Sequence, residues 1–223
     1  VHGGIINGES RTPQATLNVQ DPFYGVYGAL SNGPFALDVL VRKDQYDLKL
    51  SPTDRRVLAA GSDGKFKGDG WSALINAQYR FTLSDRWFLE PSATFMYSRI
   101  SLNDLQTVVG PVRWNTLESK TGRLGLTLRT VFQAGDFFLS PSVQASVWHE
   151  FAGRSKSTLT YTGSTLAPVV AQTSRVGTYG QLSAALTAIP VNLQNFTGFV
   201  RADWRFGQKI NGWALNAGLR YQF

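Results

Sequence analysis

Cysteine is absent from this chain of 223 residues. That excludes disulfides, thiolate metal sites and cysteine nucleophiles. Histidine is nearly absent, with only His2 and His149. Charged residues make up 17% of the chain, against about 25% in an ordinary globular protein. No apolar run reaches the roughly 18 residues of a membrane-spanning helix. No glycine-rich phosphate loop appears, and no His, Asp and Glu cluster has metal-ligand spacing. Neither a cofactor nor a metal is therefore expected. Val1 opens no basic stretch followed by an apolar core, so no signal peptide is read there. The chain starts mid-pattern and reads as a mature or excised piece.

What the chain does have is alternation. Its last residues, NGWALNAGLRYQF at 211–223, set Trp213, Leu215, Ala217, Leu219, Tyr221 and Phe223 against small or polar neighbours. Period two is the repeat of a β-strand with one greasy and one wet face. The same repeat fills 35–42, 70–83, 88–98, 122–133, 137–151, 176–188 and 196–206. Residues 1–8 and 15–30 are less clean, the first rich in glycine and the second interrupted by Pro22. Ten strands result, and no helix of useful length. Several outrun the usual strand of about 5–6 residues and suit a tilted membrane-spanning strand of about 9–11.

The connections alternate in length. Short ones fall at 31–34, 84–86, 134–136 and 190–194, and longer ones at 51–65, 103–116 and 154–174. The exception is 207–212, which is short at a long-loop position. Outer-membrane barrels place short turns in the periplasm and long loops outside, which puts the last strand's end in the periplasm. Aromatic residues gather near strand ends as in an interfacial girdle, notably Trp71, Trp87, Phe137, Phe151, Trp204 and Trp213. The fold expected is all-β: an antiparallel up-and-down transmembrane β-barrel. It spans 1–223 as a single domain.

Alternation then assigns the charges. Asp38, Arg42, Arg80, Glu90, Arg123, Arg129, Glu150, Arg201, Asp203, Arg205 and Arg220 fall on the polar phase and are expected to line the lumen. Facing lipid, an arginine at mid-depth would cost about 2–4 kcal/mol. Inside, these groups serve as an ion-pair network or as a hydrophilic path for ions or extended polypeptide. The net charge of +7 is scattered and carries no nucleic-acid motif, so no nucleic-acid partner is expected. His149 and Glu150 are adjacent, and adjacent strand residues point to opposite faces. No catalytic residue is therefore assigned.

An ordered series of segments carries a family resemblance. They are FYGVYGAL at 23–30, FALDVLVRKDQYDL at 35–48, WSALINAQYRFTL at 71–83 and WFLEPSATFMYSRI at 87–100. GRLGLTLR at 122–129, LSPSVQASVWHEFAG at 139–153, FVRADWRFG at 199–207 and GWALNAGLRYQF at 212–223 follow. In order and spacing the chain resembles the C-terminal β-barrel domain of autotransporters, the type V secretion proteins. The resemblance implies a Gram-negative outer-membrane translocator of twelve strands. It implies export of an N-terminal passenger, with a linker helix in the pore, and no enzyme. It implies outer-membrane lipid, periplasmic chaperones and the barrel-assembly machinery as partners. The family's terminal assembly signal carries over to Leu219, Tyr221 and Phe223. Ten strands rather than twelve fit a barrel without its first hairpin and linker helix, and also a closed ten-stranded barrel. The alternatives are a stand-alone surface barrel, for adhesion, binding or a small channel, and a barrel hydrolase.

Overall fold

The computed structural model describes residues 1–162, 167–172, 175–193 and 195–221. β1 (His2–Arg11), β2 (Ala15–Asn32), β3 (Phe35–Pro52) and β4 (Lys65–Tyr79) open the wall. After them come β5 (Phe81–Ser84), β6 (Trp87–Leu102), β7 (Leu105–Thr107), β8 (Gly110–Trp114) and β9 (Leu117–Thr130). β10 (Phe132–Ala134), β11 (Phe137–Glu150), β12 (Lys156–Leu159) and β13 (Val169–Gln172) follow. β14 (Thr178–Pro190), β15 (Phe196–Gly207) and β16 (Ile210–Tyr221) end it.

The main sheet runs β1-β2-β3-β4-β6-β9-β11-β14-β15-β16, every pair antiparallel. It curls into a half-barrel. Its long edges, β1 and β16, do not pair with each other among the described residues. β5 and β10 carry two strands onward past Arg80 and Val131, whose amides bond Pro34 and Arg86 carbonyls instead. Gly33 (φ 57°) and Gly135 (φ 56°) turn two of the short hairpins, where the first turn position needs a left-handed residue.

Registers hold across the wall. Asp38 pairs with Asn76, Asn76 with Thr94, Thr94 with Arg123, Arg123 with Trp148, and Trp148 with Tyr179. Each row of one face is therefore continuous from strand to strand. Burial is inverted relative to a water-soluble protein. Among the described residues the only buried hydrophobic side chains are Phe66 and Leu105. Asp21, Asp44, Glu90, Thr94, Gln181, Ser183 and Asp203 are buried instead, on the concave face where curvature crowds side chains together.

Several strands run past the lengths read from the sequence. The glycine-rich start and the Pro22 segment are both full strands, β1 and β2. Pro22 lacks an N–H, and the β2–β3 ladder skips Asp21 and Pro22 there. β3 continues past Arg42 to Pro52. The loops 103–116 and 154–174 hold β7, β8, β12 and β13, which form a second, four-stranded sheet in the order β13-β12-β8-β7. An isolated bridge from Leu58 to Thr107 ties the 51–65 loop to it. Phe66 stacks on Trp114 beneath it, with centroids 5.0 Å apart.

Candidate functional site

The concave face is the candidate site. Tyr27 on β2 donates to Asp38 on β3 at 2.7 Å. Asp38 also accepts from Asn76 on β4, and Asn76 accepts from Thr94 on β6 and Arg123 on β9. Five strands are thus joined by side chains alone. A second network covers the other side. Gln144 on β11 donates to Thr127 on β9 and accepts from Arg201 on β15. Asp203 accepts from Arg201, Gln181, Ser183 and Asn216, binding β14, β15 and β16 together. Arg205 donates to Gln181 at 3.3 Å.

Ion pairs sit toward the ends. Arg42 pairs with Asp21 at 2.8 Å and with Asp44. Glu90 takes Arg80 at 2.8 Å and Arg129 at 3.2 Å. Glu150 accepts from Ser119, Thr121 and the amides of Lys120 and Ala152. Every charge expected on the polar phase but Arg80 shares this concave face by register, and Arg80, between β4 and β5, reaches it through Glu90. The balance is incomplete. Among the described residues Arg123, Arg205 and Arg220 have no carboxylate within ion-pair distance. Arg123 instead lies over the Trp148 ring at 5.4 Å. Sequence reasoning gave no role to Asp21 and Asp44, or to the neutral links Tyr27, Asn76, Thr94, Gln144, Gln181 and Ser183.

The convex face is apolar. One register row reads Leu89, Leu128, Val143, Ala184, Ala202 and Leu215. Trp71, Trp87, Phe137, Phe151, Trp204 and Trp213 all lie exposed on it. Trp87 and Phe137 mark the short-turn end, and Trp71, Phe151, Trp204 and Trp213 the long-loop end. From Trp87 to Tyr97 along β6, at about 3.3 Å per residue and a tilt of about 40°, the wall spans about 25 Å. Leu219 and Tyr221 are on the convex face and exposed, while Phe223 lies outside the described residues.

His149 is convex and its Nδ1 bonds Thr178 Oγ1 at 2.7 Å. His2 packs edge-on against Phe23. Neither has a carboxylate in hydrogen-bonding reach among the described residues. No group of three His, Asp or Glu side chains there is placed to hold a metal. In the 51–65 loop, Asp54 caps a 3-10 turn at Arg55–Val57 by accepting from the Arg56 amide, and the Arg56 donors hold its carboxyl below its ordinary value.

An apolar convex face between aromatic bands, around a hydrogen-bonded polar concave one, defines a transmembrane β-barrel wall. The comparisons give it a family. Residues 3–203 match the model of the autotransporter β-domain. The chain belongs to the autotransporter β-domain family, translocator barrels of the Gram-negative outer membrane. This is a family of translocators and not of enzymes.

The pertactin autotransporter of Bordetella bronchiseptica (strain ATCC BAA-588 / NCTC 13252 / RB50) is 29% identical over 208 residues. That match covers 90% of this chain and 21% of the relative. The BrkA autotransporter of Bordetella pertussis (strain Tohama I / ATCC BAA-589 / NCTC 13251) is 28% identical over 207 residues, 89% of this chain and 19% of the relative. The chain thus spans about a fifth of the length of these curated relatives. The crystal structure of the β-domain of the Bordetella autotransporter BrkA shares the fold, with a TM-score of 0.64 and 17% identity. That likeness covers 98% of this chain and 88% of the other.

Proposed function

We propose that this barrel anchors a polypeptide joined to its N-terminal side and mediates that passenger's export to the cell surface. The reading rests on one observation above all. The concave face offers hydrogen-bonding groups on β2, β3, β4, β6, β9, β11, β14, β15 and β16, a lining that suits hydrated or helical polypeptide. The mechanism is physical. Convex residues hold the wall in lipid, and the polar lumen takes a linker helix or an extended passenger segment. No covalent step is assigned to any residue.

The open edges of β1 and β16 call for more strands, because bare backbone edges are costly in lipid. We assign those strands to a hairpin preceding Val1, which brings the wall to the twelve that the family resemblance implies. The barrel-assembly machinery and periplasmic chaperones would deliver the chain, reading Leu219, Tyr221 and Phe223. Deleting Phe223 is expected to lower insertion into the outer membrane severalfold, and undiminished insertion sinks that role.

Export is tested with the natural upstream sequence in place and a protease-accessible reporter as passenger. Surface display that is lost on replacing Arg123 and Arg205 with glutamate, while the folded barrel still accumulates, supports the lumen as the path. Display unchanged by that pair overturns it. A stand-alone surface barrel is the second reading, favoured by the second sheet built from the long loops. It stands if the natural gene holds no passenger upstream.

A further inference from the structure

The convex face changes character within its outer aromatic band, on the wall formed by β3, β4, β6 and β9. Lys43, Trp71, Arg99 and Glu118 form one register row across β3, β4, β6 and β9. Tyr97 and Lys120 pair one row below. Trp71 and Tyr97 pack at 4.8 Å, and the Lys120 ammonium lies 5.9 Å from the Tyr97 ring. Beneath them Ile75 and Phe95 are exposed apolar side chains. Lys49 and Lys67 continue the basic surface upward along β3 and β4.

Carboxylates occur in this patch but do not neutralise it. Asp69 holds Lys43 at 2.7 Å, Asp47 meets Lys67 at 3.8 Å, and Glu118 meets Lys120 at 3.9 Å. Glu118 also accepts from the Tyr97 hydroxyl. Arg99, exposed at the centre, has no carboxylate within ion-pair distance among the described residues, and neither has Lys49. The opposite wall differs at the same height. There the convex positions are taken by His149 on β11, Phe151 just beyond it, Thr178 on β14, Phe206 on β15 and Asn211 on β16. The nearby Lys209 is engaged by the Arg175 carbonyl at 3.1 Å.

Depth decides what meets these cations. They sit in the aromatic band itself, Lys43 and Arg99 in the row of Trp71 and Lys120 in the row of Tyr97, at the depth where lipid headgroups lie. The long-loop end faces outward. The outer leaflet of a Gram-negative outer membrane is built of phosphorylated glycolipid. We propose that Arg99 and Lys120, with Lys43 beside them, form a binding site for the phosphate groups of that glycolipid. Arginine supplies the planar donor fork suited to phosphate, and lysine a point charge. The Trp71–Tyr97 pair shelves the sugar, and acyl chains run down over Ile75 and Phe95. The barrel is thereby held with its β3–β9 wall against ordered glycolipid, and its β11–β16 wall free of that tether.

The test uses the barrel with its natural upstream sequence, refolded in phosphatidylcholine vesicles, with folding checked by heat-modifiable gel migration. Diphosphorylated lipid A, its dephosphorylated form and inorganic phosphate are each titrated against it by retention on the purified barrel. A cation at a charged leaflet is worth about fivefold in partitioning, so Arg99→Gln with Lys120→Gln should weaken lipid A binding about 25-fold. Lys209→Gln should leave it unchanged. Equal binding of the dephosphorylated lipid by the unaltered barrel overturns the proposal, and needs no variant to fold. Competition by millimolar inorganic phosphate at equal strength overturns the lipid as the source. Full retention by the double variant overturns the assigned residues.

Discussion

On β9 the concave residues Thr121, Arg123, Thr127 and Arg129 alternate with the convex Leu124, Leu126 and Leu128. The two sets share one backbone and one ladder, yet they are held by different physics. Concave side chains are fixed by specific partners: Arg123 by Asn76 and Thr94, Arg129 by Glu90. Convex side chains have few protein partners, and Leu124 is 70% exposed. Their stabilisation comes from lipid, which is indifferent to which apolar residue is present. The contrast teaches that the inner face should be sensitive to chemistry and the outer face to polarity alone.

The largest break of that contrast is Leu126→Arg on the convex side. It should cost about 2–4 kcal/mol of folding in vesicles, while Leu126→Val costs little. Equal stability of the arginine variant in denaturant titrations would place that row out of lipid. Next comes Asp203→Ala, which strips the acceptor from Arg201, Gln181, Ser183 and Asn216 at once. A loss of about 1–3 kcal/mol is expected by the same titration. Asp203→Asn should recover part of it, which a loss of bulk alone cannot explain.

Glu90→Gln should be milder, about 1 kcal/mol, because Arg80 and Arg129 are 54% and 34% exposed and water screens them. A loss as large as that of Asp203→Ala would mean that this end is drier than its geometry implies. Smallest is Phe206→Leu. Its ring lies over Gly180 across the β14–β15 ladder, and the swap should cost about 0.5–1 kcal/mol. No change in the unfolding midpoint would deny that contact any part in fixing register.

The sequence made the wall legible because its signal is local. Alternation needs no knowledge of neighbours, and it placed Arg123, Arg201 and Asp203 on one face together. Partnership is not local, so Asp44 and Asp21 escaped. Asp44 lay past the assumed end of β3, and Asp21 sits beside Pro22 where the phase is obscured. Neutral residues such as Asn76 and Gln181 escaped for another reason. Nothing in a single strand distinguishes a bridging amide from a solvated one. The second sheet was hidden because β12 and β13 are four residues each and β12 pairs with β8 across a long gap in the chain.

The convex row from Leu89 to Leu215 also sets the terms of the chain's life before it reaches lipid. In water that row is a broad sticky face, the recipe for precipitation. Solubility and the native fold are therefore at odds until insertion. Biogenesis becomes a race in which dilution favours the membrane and crowding favours the aggregate.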